Sequence, residues 1–233
     1  MLFPRSRPPS MPILALDTAL DTVSVAILDD QGSLLAARRL DDRRNGAEQL
    51  LPLVEVARAD AGLAYAELTS IGVTVGPGSF TGIRVGLAAA RGLALAAGIR
   101  LVGVTTLAAV AQAAVATIPG LTAVMAAIDA RRGELYCQRF GVEAGIIATL
   151  AGEAPALLPI AAVLDKLALG DSVVGSGAGL VTGTPGPFDR ITSDATAVAR
   201  LVRAVDAGRF PSVAPRPIYL RAPDARLPAE PLR

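Results

Sequence analysis

A short apolar run closed by an aspartate occurs twice in this chain, and that repetition limits the fold more than any other feature. Ile13-Leu-Ala-Leu runs into Asp17, and Leu121-Thr-Ala-Val-Met-Ala-Ala-Ile128 runs into Asp129. The two alignments continue without a gap, because Val23 and Leu135 each lie six residues beyond their aspartate. An apolar run of this length reads as a buried strand. Two copies of one opening imply two copies of one α/β unit.

Each copy continues as a meander. In the first half, residues 22–28 and 33–40 read as strands joined by the Asp29-Asp-Gln-Gly32 turn. A helix over 47–61 follows, with Pro52 placed near its start, then a strand at 70–75, a helix at 79–97 and a strand at 100–104. The second half repeats strand runs at 121–128, 135–142 and 146–151. It then offers a helix near 159–169, a strand at 172–174 and a helix over 194–207. This order predicts an α/β protein of two ribonuclease-H-like lobes, of the actin, sugar-kinase and Hsp70 type, each with a mixed, five-stranded type of sheet. The predicted division is a flexible tail at 1–10, a first lobe at 11–107, a second at 108–193 and a C-terminal tail at 209–233. Helix 194–208 is assigned to the first lobe, and the proline- and arginine-rich tail is expected to wrap the surface.

Absences exclude whole classes of chemistry. The sequence contains no histidine, which removes Ser-His-Asp and Cys-His catalysis and every histidine-based metal site, so no metal site is predicted. Lys166 is the single lysine and no GxxxxGK[ST] pattern exists. Cys137 is the single cysteine, set in a strand-like run, and reads as a buried structural thiol in a reducing cytosol. The longest apolar run, 85–107, is broken by Arg91 and Arg100, so it reads as packed helix and strand, not a membrane span. The first ten residues have no apolar h-region and read as a tail, not a secretory signal, or as a misplaced start. Net charge is +1, from 22 basic and 21 acidic residues, with the densest cluster at Arg38, Arg39, Arg43 and Arg44. No aromatic residue interleaves it, so it reads as a solvated loop, and independent binding of RNA is not expected.

Two segments carry open alternatives. Asp17-Thr18 sits where this superfamily faces nucleotide phosphates, yet a strand-end aspartate also satisfies turn amides. Gly175-Ser-Gly-Ala-Gly179 follows a strand and could cradle phosphate or be a tight connection. Asp17, Thr18, Gly175 and Gly177 are therefore the candidate nucleotide contacts. The stretch Gly76-Pro-Gly-Ser-Phe-Thr-Gly-Ile-Arg-Val-Gly86 opens a helix but is neither GxGxxG nor a P-loop. Gly78, Gly82, Gly86, Ala90 and Ala94 recur every four residues and give that helix a bare stripe. Such a stripe permits close approach, either of the chain's own elements or of another polypeptide.

Met11-Pro-Ile-Leu-Ala-Leu-Asp-Thr-Ala19, the Gly76–Leu87 block, Arg91-Gly-Leu-Ala-Leu95, Gly103-Val-Thr-Thr-Leu107, Ala127–Tyr136 and Tyr219-Leu-Arg221 together resemble the TsaB (YeaZ) family. The resemblance spans nearly the whole chain. It implies a non-catalytic subunit that binds the transferase TsaD, while TsaD moves threonylcarbamoyl from its adenylate to the adenosine beside the anticodon of tRNA. The ATPase TsaE would join a ternary complex in the cytoplasm, and tRNA would be met only through the complex. A homodimer is expected when the partner is absent, ATP or ADP is expected only weakly or at the complex interface, and no membrane is involved. The resemblance also places Leu50, Leu51, Val54, Gly78, Gly82, Val85, Gly86 and Arg91 at the partner interface. On that reading, a lysine or leucine at Gly82 or Gly86 should abolish pairing while the chain still folds. The second class of function is a stand-alone actin-like ATPase or small-molecule kinase using Asp17 and Asp129. A peptidase has no residues to support it.

Overall fold

The computed structural model describes residues 11–41 and 46–221. The expected tail at 1–10, Arg43, Arg44 and residues 222–233 lie outside the described residues. The first sheet contains β1 (Ile13–Asp17), β2 (Val23–Leu28), β3 (Leu34–Leu40), β4 (Ser70–Thr74) and β5 (Arg100–Val104), in the order β3-β2-β1-β4-β5. β1 pairs antiparallel with β2 and parallel with β4. Both faces of β1 are covered: Ile13 and Ala15 join one core, Leu14 and Leu16 the other. A strand buried on both sides must be continuously apolar, which is why this run was visible in the sequence.

The second sheet contains β6 (Ala123–Asp129), β7 (Glu134–Glu143), β8 (Ile146–Thr149), β9 (Ala156–Pro159) and β10 (Ser172–Val174). Its centre repeats the first: β6 pairs antiparallel with β7 and parallel with β10. The third strand is divided, since β8 pairs with residues 140–143 of β7 and β9 with residues 134–137. β9 had no prediction behind it. Among the described residues, no counterpart of β5 extends the far edge.

Six helices appear among the described residues: α1 (Gly46–Asp60), α2 (Phe80–Ala97), α3 (Thr106–Thr117), α4 (Ile160–Leu164), α5 (Ala178–Thr182) and α6 (Ala195–Asp206). α1 and α2 cover one face of the first sheet. α6 covers the other and meets α3, which lies on the second sheet, so the largest core is built from both sheets and these two helices. Gly72 of β4 lets α6 approach closely, because a Cβ there would lie 2.6 Å from Val202 Cγ2.

α3 is absent from the sequence reading, and its burial explains why. Residues 106–112 are buried without interruption, so the helix shows no polar face and no helical period to detect. Its Gln112 is held by Gly145 O at 3.1 Å and by the Ile147 N–H at 3.1 Å, tying α3 to the β7–β8 turn. α4 is far shorter than the predicted helix at 159–169, and α5 was not predicted. At 18 residues α2 has the length and apolar composition of a membrane-crossing helix, although Arg84 and Arg91 interrupt it. Here Ile83, Gly86, Leu87, Ala90 and Ala94 pack into the chain's own fold.

Candidate functional site

Two strand-end aspartates and the glycine-rich loops around them form the centre predicted to matter. Asp17 ends β1 and is fully buried. Its Oδ1 accepts from the Ala19 N–H at 3.1 Å and from the Thr74 hydroxyl at 2.7 Å, while Oδ2 has no hydrogen-bond partner. Burial pushes its carboxyl above the usual range. The Ser193 and Thr74 hydroxyls and the Ala19 amide pull it back in part, and nearby Asp194 adds to the rise. Asp17 is therefore a turn-stabilising residue facing inward, with no surface left for a phosphate or a metal.

The glycine block explains what covers it. The Ser79 N–H donates to Ala19 O at 2.7 Å, the Thr18 hydroxyl donates to Gly82 O at 2.7 Å, and Ser79 caps α2 by accepting from the Gly82 N–H at 3.2 Å. A Cβ at Gly78 would overlap Ala19 O, one at Gly82 would overlap Thr18 O, and one at Gly86 would overlap the Thr18 hydroxyl. The bare stripe thus exists to seat the β1–β2 turn of the same chain. This corrects the expectation that Gly78, Gly82 and Gly86 await another polypeptide. It also overturns the expectation that a large residue at Gly82 or Gly86 would leave folding intact. The reason is distance: the turn already occupies the space a side chain would need.

The second glycine loop is filled in the same way. The Gly175 N–H donates to Phe188 O at 3.0 Å, the Gly177 N–H to Ala127 O at 3.0 Å and the Ala178 N–H to Gly175 O at 2.8 Å. An amide committed within the chain offers nothing to a phosphate. Of the two readings left open by sequence, the tight connection describes Gly175 and Gly177, and the phosphate cradle does not. Asp129 is more open. Its Oδ1 accepts from the Arg131 N–H at 2.7 Å, its Oδ2 lies 3.2 Å from Arg131 Nη1, and its own N–H donates to Ser176 Oγ at 3.0 Å. Cys137 lies buried on β7, and burial raises its thiol above the ordinary value.

The residues predicted for a partner interface divide by burial. Leu50, Val54 and Gly86 belong to the chain's own interior and present no surface, a correction that follows from α1 turning Leu50 and Val54 onto the sheet and from Thr18 covering Gly86 on α2. Leu51 is 49% exposed and Val85 is half-buried. A cavity of about 310 Å³ opens where α1 and α2 begin, lined by Ala47, Thr81, Gly82 and Val85 together with Thr18 and Val23. Farther along α2, Leu95 is 86% exposed. Arg91 is exposed but engaged, donating to Pro215 O at 2.6 Å.

That last contact belongs to the C-terminal tail, which the sequence leads one to expect along the surface. Residues 210–221 lie along the first lobe: the Val213 N–H donates to Gly103 O at 3.3 Å and the Ile218 N–H to Val75 O at 2.8 Å. Arg84 of α2 stands 3.7 Å above the Phe80 ring and donates from Nε to the Tyr219 hydroxyl at 2.9 Å. Arg221 then reaches the second lobe, donating to Ala130 O at 2.7 Å and to Glu134 Oε2 at 2.6 Å. The pairing of Tyr219 with Arg84 was beyond sequence reading, since 135 positions separate them.

Comparison with known proteins agrees with this architecture. The family model for TsaD, tRNA N6-adenosine threonylcarbamoyltransferase, matches residues 41–168, more than half of the chain. The tRNA threonylcarbamoyladenosine biosynthesis protein TsaB of Escherichia coli is 42% identical over 126 residues, covering 54% of this chain and 53% of that protein. TsaB of Haemophilus influenzae is 37% identical over 127 residues, covering 54% and 52%. The chain thus spans about half the length of the curated relatives it matches. The solved structure of YeaZ from Pseudomonas aeruginosa superposes with a TM-score of 0.74 at 30% identity, covering 90% of this chain and all of that one. With a full-length structural match of this kind and a family model over most of the first lobe and into the second, the chain belongs to the TsaB/YeaZ family.

Proposed function

We propose that this chain is a non-catalytic subunit in the synthesis of threonylcarbamoyladenosine on tRNA, paired with a TsaD-type transferase in the cytoplasm. The observation that carries this reading is the filling of both phosphate-facing loops by the chain's own atoms: Asp17 is buried under α2, and the Gly175 and Gly177 amides are already bonded. A fold emptied of its chemical site retains value as a surface. The partner is assigned to the outer face of α1 and α2, through Leu51, Val85 and Leu95, with the 310 Å³ cavity beside Val85. An apolar patch with a cavity at one end suits an inserted side chain at the centre of a helix–helix interface. A TsaE-type ATPase joins through the transferase, and ATP or ADP is assigned to the complex, not to this chain. Without the partner, the same face supports a homodimer.

The test is co-purification with a TsaD-type transferase. Leu51→Glu and Leu95→Glu should each weaken the pair at least tenfold without changing the melting temperature, because both side chains point outward. Unimpaired pairing of the double variant sinks the placement. Robust ATP hydrolysis by the isolated chain would favour the kinase class instead.

A further inference from the structure

Three adjoining cavities run along α6, and together they gather arginines that the sequence scatters. The largest, about 430 Å³, includes Arg39, Arg190 and Arg200 in its lining. A second of about 170 Å³ shares Arg39, Asp194 and Thr196 with it and adds Arg38. A third of about 200 Å³ shares Arg200 and adds Arg203 and Arg209. Shared walls make the three one groove. Six arginines line it, against Asp194 as the single carboxylate in the three linings. That carboxylate is committed to capping α6, accepting from the Ala197 N–H at 2.7 Å.

The charge in the groove is largely uncompensated. Arg38 pairs with Asp60, and Arg39 with Asp41 at 2.6 Å. Arg203 donates to the backbone oxygen of Asp30 at 3.0 Å and keeps its charge unpaired. Among the described residues, the side chains of Arg190, Arg200 and Arg209 make no hydrogen bond or ion pair. In a chain of net charge +1, such a concentration of one sign marks a binding field.

We propose that this groove holds the phosphodiester backbone of RNA, which gives the chain a tRNA contact of its own. The inference rests on the function proposed above for the choice of RNA. The chemistry of the groove supports it independently. Guanidinium groups fork onto phosphate oxygens, and the Thr192 and Thr196 hydroxyls add donors of the kind that position a backbone. No aromatic side chain lines any of the three cavities, so nothing stacks on bases. Binding is therefore insensitive to base sequence and sensitive to salt. A concave channel fits a polymer strand and does not fit a flat anionic membrane.

The test uses the full chain and an unmodified tRNA transcript carrying a fluorophore. Anisotropy at about 50 mM salt should show binding that Arg190→Glu/Arg200→Glu weakens at least tenfold. The slope of log affinity against log salt should flatten by about 1.5 for two lost phosphate contacts. Arg131→Glu, on the other lobe, should leave both unchanged. Arg190→Gln alone should give an intermediate loss if the double variant fails to fold. Absence of tRNA binding by the native chain, or equal binding by the double variant, overturns the groove. So does arginine-dependent binding to phosphatidylserine vesicles in place of tRNA. A transfer assay with a TsaD-type transferase separates the two readings. If the native chain supports transfer and the double variant does so with unchanged KM for tRNA, only the groove falls. If the native chain supports no transfer, the proposed function falls, and the anisotropy result still decides the groove.

Discussion

The β1–β2 turn and the β6–β7 turn begin from the same signature and end in opposite environments. Both follow a central strand closed by aspartate, Asp17 in one lobe and Asp129 in the other. The first is sealed under α2, with its aspartate unexposed. The second stays open: Arg131 and Arg132 adopt positive φ angles of 65° and 60°, and Asp129 pairs with the exposed Arg131. The difference lies in the neighbouring helix. The first lobe supplies an 18-residue helix whose glycines admit the turn, whereas the helices that follow the second turn in the chain, α4 and α5, have five residues each. A duplicated strand pattern therefore does not duplicate a site, because the covering element decides whether a loop is sealed or free.

The strongest way to break this contrast is to fill the seat. Gly82→Leu should cost about 3 kcal/mol or more, since the new side chain collides with backbone and not with a movable side chain. Chemical denaturation would measure it. A Gly82→Leu chain that unfolds at the native midpoint would return the stripe to a partner. Asp17→Asn comes next. Burial raises the Asp17 carboxyl above its ordinary value of 3.8, so the folded state holds its proton more tightly than the unfolded state. Stability contributed by this group is then greatest below the unfolded value and declines as pH rises toward the raised folded value. The neutral amide should increase the melting temperature above that window and flatten its pH dependence. Arg221→Ala should cost about 1 kcal/mol by removing the charge-assisted contact between the tail and Glu134. Smallest is Gly92→Ala, also on α2 but facing open space, which should stabilise by about 0.5 kcal/mol through helix propensity. Opposite signs at Gly82 and Gly92 on one helix would sharpen the distinction between its two faces.

Much of the fold was legible in the residues. β5, β10 and the capped span of α6 fall where alternation, β-branching and Asp194 placed them. α3 was not legible, because a helix whose first seven residues are all buried carries no period, and β9 has no fully buried residue to mark it as a strand. At the candidate site, sequence found the correct residues and one of two permitted meanings. It named Asp17 and Gly175 without knowing that the carboxylate was fully buried and the Gly175 amide already bonded within the chain.

Local chemistry was settled by residue type alone. A chain without histidine forms no histidine-based site, and a central strand buried on both faces must be apolar throughout. What the glycines face, and which arginines stand together, was settled only on folding. Arg39 and Arg200 reach one cavity because α6 packs back on the first sheet. A stripe or a charge in sequence specifies an affinity without specifying the neighbour that satisfies it, and neighbours are assigned by packing over distances along the chain that no local pattern encodes.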